Sequence, residues 1–161
     1  MIVLVPYTAT GLRLDTVHAV SRHVPVGVEV MWRELDPADM GAYARLLVEA
    51  WAWPGDLVVV EHDIVIGPGV IEGFTACDQP WCGHPYLIGA QMLVCLGCTR
   101  FTGALKAAHP DLMVAAAAID TGGLPAGDWR RLDVRVADLL EGRGHTRHPH
   151  APPVTHLHQY P

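Results

Sequence analysis

The sequence predicts a single-domain α/β protein with a mostly parallel, twisted sheet flanked by helices. Two observations lead there. Short runs of β-branched and other apolar residues, Met1 to Pro6, Val26 to Trp32 and Leu57 to Val60, alternate with segments of helical periodicity. Runs this continuously apolar suit strands covered on both faces, which is the environment of a parallel sheet between helices. The 161 residues, 50% hydrophobic and 17% charged, also amount to one domain's length of chain with enough apolar material for its own core.

Met1 to Pro6 is the first predicted strand, followed by the small polar loop Tyr7-Thr8-Ala9-Thr10-Gly11. Leu12, Leu14, Val17, Val20 and Val24 then recur at helical spacing and predict a helix over Leu12 to His23. Val26 to Trp32 is the second strand. Asp36 reads as an N-cap with Pro37 at the first helical position, opening a helix from Ala38 to Trp51 with Met40, Tyr43, Leu46, Leu47 and Ala50 on one face. The third strand, Leu57 to Val60, runs into Glu61-His62-Asp63, and a short helix follows Pro68. This βαβαβ order places ligands at the carboxyl ends of the strands, where Tyr7-Thr8 and Glu61-Asp63 both fall. Farther on, CDQPWCGHP (77–85) reads as a loop and Tyr86 to Leu96 as a strand. Thr99 or Thr102 caps a helix ending near His109. Asp111 to Ile119 fits strand or helix. Asp128 caps a last helix with Trp129, Leu132, Val136, Leu139 and Leu140 buried.

The Glu61-His62-Asp63 triplet interrupts a run that is otherwise apolar from Leu57 to Ile66. An unpaired buried carboxylate costs several kcal/mol, so the chain must leave the core here. In an extended segment, residues 61 and 63 share a face, and two hard oxygens on one face suit Mg2+ or Mn2+. A solvated strand end with Asp63 as a cap satisfies the same residues. The tail supplies candidate partners in two His-x-His pairs, His148/His150 and His156/His158, each with both rings on one face of an extended chain.

The cysteines offer a competing metal site. Cys77-x4-Cys82, twelve residues, then Cys95-x2-Cys98 is compatible with structural zinc, while Cys95 in an apolar run also reads as a small hydrophobe. Trp81 and Tyr86 are either an exposed platform for a sugar or base, or core. Arg100, at a predicted helix start, either holds a phosphate or sugar hydroxyl or is solvated.

Ser21 is the single serine and no GxSxG occurs, which excludes serine-type hydrolysis; no GxGxxG occurs either. Residues 1–98 hold four Arg against eleven Asp and Glu, a net of −7, while 99–161 hold seven Lys and Arg against six acids, a net of +1. A nonspecific nucleic-acid binder would be more basic overall. No apolar stretch approaches the roughly 18–20 residues of a membrane span. MIVLVPYT lacks the basic region and cleavage site of a signal peptide, which predicts a cytoplasmic protein.

VPYT after strand one, the apolar strand into Glu61-His62-Asp63, LGCTRF (96–101), WRRLD (129–133) and HPHAPPVTHLH (148–158) together resemble small GT-A-type glycosyltransferases, including phage-encoded ones. The resemblance spans most of the chain and implies a compact, Rossmann-like GT-A core. It implies a nucleotide-diphosphate sugar donor, such as a UDP- or GDP-sugar, and a divalent cation, Mn2+ or Mg2+. Metal ligation falls to Asp63, with Glu61 and with His156 or His158. Pro6, Tyr7 and Thr8 contact the nucleotide, and Glu61, standing where the family has Asp, contacts sugar or ribose. Asp133 is the expected catalytic base, with Asp78 as the alternative. Residues 1–76 would bind the donor, 77–144 the acceptor, and 145–161 would return to the metal. The acceptor is open; some phage enzymes of this kind modify hydroxymethylpyrimidines in DNA, and Arg130, Arg131, Arg135, Arg143 and Arg147 would form the face for it. The chain is shorter than most GT-A enzymes, which leaves a minimal acceptor side or one completed by a second subunit. The rival reading is a non-catalytic, zinc-stabilised binding module built on the four cysteines.

Overall fold

The computed structural model describes residues 1–118 and 131–157. The first half is the expected βαβαβ unit: β1 (Ile2–Tyr7), α1 (Leu14–His23), β2 (Glu29–Glu34), α2 (Ala42–Trp51) and β3 (Leu57–Val60). β1 lies between β2 and β3 and is parallel to both. After β3 come β4 (Ile64–Val65), α3 (Val70–Ala76), β5 (Trp81–Gly83), β6 (Tyr86–Ile88), β7 (Gln91–Leu93) and β8 (Cys98–Phe101). The chain continues through α4 (Gly103–Ala108), α5 (Leu112–Ala118), α6 (Leu132–Gly142), β9 (His148–Pro149) and β10 (Thr155–His156). The central sheet has six strands in the order β2-β1-β3-β8-β5-β9. Only β8 is reversed, pairing antiparallel with β3 and β5, so five strands point one way.

The alternation of side chains along β1 and β3 explains why these runs are apolar throughout. Leu4, Leu57 and Val59 face a core shared with Leu47 and Trp51 of α2, Leu112 and Met113 of α5, and Leu132 and Leu140 of α6. Val3, Val5, Val58 and Val60 face the other core, with Val20 of α1 and Ile71 and Phe74 of α3. Both faces are covered, as the unbroken hydrophobicity requires. No helix among the described residues is long and apolar enough to cross a membrane.

Several local readings are corrected by packing. Asp36 caps a turn rather than a helix: its Oδ1 accepts from Ala38 N at 2.9 Å, and α2 starts only at Ala42. Tyr86 to Leu96 is not one strand but the β6-β7 hairpin and the segment after it. Thr102, not Thr99, caps α4, accepting from Leu105 N at 3.1 Å. Asp111 to Ile119 resolves as helix over Leu112–Ala118. Asp128 and Trp129 lie outside the described residues. Trp81 and Tyr86 are both buried, which removes the exposed aromatic platform.

Arg100 is the largest correction. It does not open a helix but sits in β8 between Val58 and Cys82, 6% exposed. Its Nε and Nη2 donate to Asp56 Oδ2 at 2.9 and 2.8 Å, and Nη1 donates to the Cys77 carbonyl at 2.9 Å. The Asp56 Oδ1 takes the Gly103 N–H at 2.8 Å. All of these groups stand at the amino end of β3, away from Glu61.

Candidate functional site

Parallel pairing brings the carboxyl ends of β1 and β3 side by side. Beyond β3 the chain turns sharply, with Ile64 N donating to the Glu61 carbonyl at 3.0 Å. Glu61-His62-Asp63 therefore occupies a tight turn into β4 rather than an extended strand. The turn is held from both sides: Glu61 N donates to the Gly97 carbonyl at 2.9 Å, and Arg13 N, at the start of α1, donates to the His62 carbonyl at 3.2 Å.

The tail returns to this turn. β10 pairs antiparallel with β4, setting His156 opposite Ile64, and Leu157 N donates to the Asp63 carbonyl at 2.8 Å. His156 Nε2 ends 3.2 Å from Asp63 Oδ2, and its Nδ1 lies 3.2 Å from the Leu87 carbonyl. The two side chains are only 5% and 14% exposed. His158 lies outside the described residues.

These groups open on a cleft of about 500 Å³, within the usual range for a small-molecule site. Pro6 and Thr8 from the end of β1, Glu61, His62 and Asp63, Tyr43 of α2, Asp133 of α6 and His156 line it. Tyr7 is not in the lining; its ring packs edge-on against Trp32, 6.3 Å between centroids. Asp78 is exposed and precedes β5 at the opposite end of the sheet, where its Oδ1 accepts from Gln79 Nε2. It cannot act on a substrate in this cleft. Asp36, Asp39 and Cys95 also line the cleft, which the sequence does not signal, and Tyr86, though buried, reaches its wall. For Tyr43 a signal existed: a tyrosine on a buried helix face needs a polar partner for its hydroxyl.

That partner is Glu61, whose Oε1 accepts from Tyr43 Oη at 2.8 Å. Gly97 completes the floor. Its N–H donates to Tyr86 Oη at 3.1 Å, and a Cβ there would come within 2.5 Å of Tyr86 Oη and 3.0 Å of Glu61 Oε2. Only glycine lets the turn before β8 approach the carboxylate this closely. Burial pushes the Glu61 carboxyl from 4.5 up to about 7; the Tyr43 hydroxyl opposes the rise, and the charges of Asp63 and Asp133 add to it. For His156, burial acts downward, but the hydrogen bond and charge of Asp63 outweigh it and raise the imidazole above its ordinary value.

The Glu61 shift has a measurable consequence. A carboxyl whose folded value lies above 4.5 contributes stability that is full below 4.5 and is lost as pH rises through about 7. Glu61→Gln keeps an acceptor for Tyr43 and removes the titration. In chelator, it is expected to be more stable than the parent protein at pH 8, on the order of 2 kcal/mol, and close to equal at pH 4. Urea melts at the two pH values check this; a variant no more stable at pH 8 would refute the buried-carboxyl account.

The four cysteines do not converge among the described residues. Cys77 and Cys82 adjoin one another, Cys98 is buried in β8, and Cys95 stands on the cleft wall beside Asp133. The arginines proposed as a DNA face are mostly engaged. Arg135 is buried with its Nε on the Arg131 carbonyl, Arg143 forms a two-pronged pair with Asp111, and Arg147 lies 4.8 Å over the Trp81 ring. Arg130 lies outside the described residues.

No family model matches the sequence, and no curated protein matches it. Solved structures do. A glycosyltransferase involved in the glycosylation of the major capsid of PBCV-1 superposes with a TM-score of 0.62 at 11% identity, covering 99% of this chain and 94% of that one. The 2-C-methyl-D-erythritol 4-phosphate cytidylyltransferase from Thermus thermophilus superposes with a TM-score of 0.50 at 18% identity, covering 92% and 86%. The strand order and these superpositions together show that the chain has a GT-A-like α/β fold, shared with a glycosyltransferase and a cytidylyltransferase.

Proposed function

We propose that the chain is a divalent-cation-dependent glycosyltransferase that moves a sugar from a nucleotide-diphosphate sugar to an acceptor hydroxyl. One observation carries the reading. Asp36, Asp39, Glu61, Asp63 and Asp133 line the cleft, and among the described lining residues there is no Lys or Arg. A diphosphate enters such a cleft only together with a cation. The donor set fits Mn2+ or Mg2+: hard carboxylate oxygens plus the imidazole of His156, oriented by the Leu87 carbonyl on its other nitrogen. Asp63 and His156 hold the cation, which when bound supplies positive charge to the leaving diphosphate.

The chain's own residues do the rest. Pro6 and Thr8 bound the nucleotide end of the cleft, and Glu61, anchored by Tyr43, accepts a hydroxyl of the donor's sugar or ribose. Asp133 is the general base: as the acceptor oxygen bonds to the anomeric carbon and the bond from that carbon to the diphosphate breaks, its carboxylate takes the hydroxyl proton. Nucleotidyl transfer, the activity of the second structural neighbour, is the less favoured alternative, because a triphosphate brings still more negative charge to the same carboxylates.

A thermal-shift screen of nucleoside diphosphates with and without Mn2+ tests the reading, since a ligand that binds only the folded state raises the apparent Tm. One nucleoside diphosphate is expected to raise Tm with Mn2+ and much less without it. No shift with any nucleotide overturns the proposal.

A further inference from the structure

On the far edge of the sheet, away from the cleft, Cys77, His148 and His150 each offer a ligand atom, and the three atoms all lie within 4.8 Å of one another. None of the three lines the cleft. Their meeting is a product of topology. Cys77 ends α3, its N–H donating to the Phe74 carbonyl and its carbonyl held by Arg100. β9 pairs parallel with β5, setting His148 opposite Cys82, and His150 N donates to the Gly83 carbonyl at 2.9 Å. The His-x-His spacing then turns both rings to one side, where they meet edge to face, 5.2 Å between centroids.

The surroundings are those of a prepared site. His150 Nε2 is buried and has no hydrogen-bond partner among the described residues. A buried polar atom left unsatisfied is costly, and a metal ion would satisfy it. Behind His150 stands His84, 2% exposed and stacked on it with centroids 5.1 Å apart, and Phe74 packs against both rings. Arg100, which holds the Cys77 carbonyl, is already neutralised by Asp56.

We propose that Cys77, His148 and His150 bind one zinc ion that staples the C-terminal strap to the body of the fold. One sulfur and two imidazole nitrogens form a borderline-soft set suited to Zn2+ and unsuited to Mg2+ or Ca2+. Tetrahedral zinc at the usual bond lengths keeps ligand atoms about 3.3–3.8 Å apart, so side-chain adjustment alone closes the cluster onto the ion. His148 is exposed, which leaves the fourth position open to water. The same strap carries His156 to Asp63, so the ion holds in place the segment that completes the cleft. The inference does not rest on the transferase reading, because the ligands are separate.

The test uses the full-length protein, stripped with chelator under reducing conditions. It is titrated with Zn2+ against a chromophoric competitor, and with Co2+ read by absorption. The expected result is one equivalent of tight metal with a thiolate-to-cobalt charge-transfer band. At a hundredfold excess over Kd, Zn2+ is expected to raise Tm by about 5–10 °C. Cys77→Ser and His148→Ala should each weaken binding by at least about a hundredfold, and Asp63→Asn should leave it unchanged. His148 is exposed, so its variant keeps the fold and remains informative even if Cys77→Ser does not. No stoichiometric binding, binding that survives His148→Ala, or binding lost with Asp63→Asn would each overturn the proposal.

Discussion

On the proposed function, Asp63→Ala is expected to lower kcat/KM for glycosyl transfer by roughly a thousandfold and to remove the Mn2+ dependence of nucleotide binding. Charge stabilisation of a leaving diphosphate by a bound cation is worth several kcal/mol, and each 1.36 kcal/mol is a factor of ten in rate, so about 4 kcal/mol is at stake. The geometry makes Asp63 the anchor. Its Oδ2 faces His156 Nε2 at 3.2 Å, and its backbone carbonyl receives Leu157, so both side chain and main chain are committed to this corner. With the His156 Nδ1–H given to the Leu87 carbonyl, Nε2 and Oδ2 are two acceptors facing each other. A shared proton or a cation must lie between them, and with no cation bound the hydrogen bond and charge of Asp63 outweigh burial and favour the protonated imidazole. His156→Ala should cost less, about tenfold to a hundredfold, because it removes one of the proposed ligands and leaves the carboxylates. Asp78→Ala is the control: exposed and at the other end of the sheet, it should leave kcat/KM within twofold of the parent. Steady-state kinetics with Mn2+ varied checks all three, and an Asp63→Ala protein with undiminished Mn2+-dependent turnover would remove the basis of the assignment.

Asp56→Ala is expected to destabilise the fold by about 3 kcal/mol, the low end of the cost of removing one partner from a buried pair. The Arg100 side chain is 8% exposed and would be left with its charge inside the protein. The Gly103 N–H would lose its acceptor as well. Burial works against the Asp56 charge, but the Gly103 N–H and the Arg100 guanidinium outweigh it and hold the carboxyl below its ordinary value. This contribution is present above pH 3.8 and is lost as pH falls through the lowered value, which adds to acid denaturation. The double replacement Asp56→Asn with Arg100→Met should be less damaging than Asp56→Ala alone, since it leaves no uncompensated charge. Urea denaturation at pH 7 measures each, and a loss under 1 kcal/mol for Asp56→Ala would show that the pair is not a structural element. Nucleotide affinity of the folded fraction should be unaffected, which separates this role from a phosphate-binding one.

The two residues illustrate where sequence reading succeeds and where it stops. Glu61-His62-Asp63 was legible because charge inside an unbroken apolar run has one physical outlet, the end of a strand. The return of the tail was legible in part, since its His-x-His pairs are patterned for ligation. The resemblance points His156 or His158 to Asp63, and His156 does reach it because β10 pairs with β4; that His148 and His150 meet Cys77 follows only from the pairing of β9 with β5. Arg100 reads as a helix start because CTRF is short, has two consecutive polar residues, Thr99 and Arg100, and is followed by a capping threonine. Only its two neighbours in the sheet make it a strand. Asp133 was nominated from a motif, and the packing of α6 against the sheet is what carries it to the cleft.

By itself, then, the sequence determined the α/β class, the parallel first half and the position of the acidic turn, because hydrophobic periodicity and the cost of buried charge are local properties. The tertiary structure alone decided the reversed strand β8, the burial of Arg100 and the separation of the four cysteines. It also decided which carboxylates share a cleft, because each of these depends on pairings between segments far apart in the chain, and no local pattern encodes a partner.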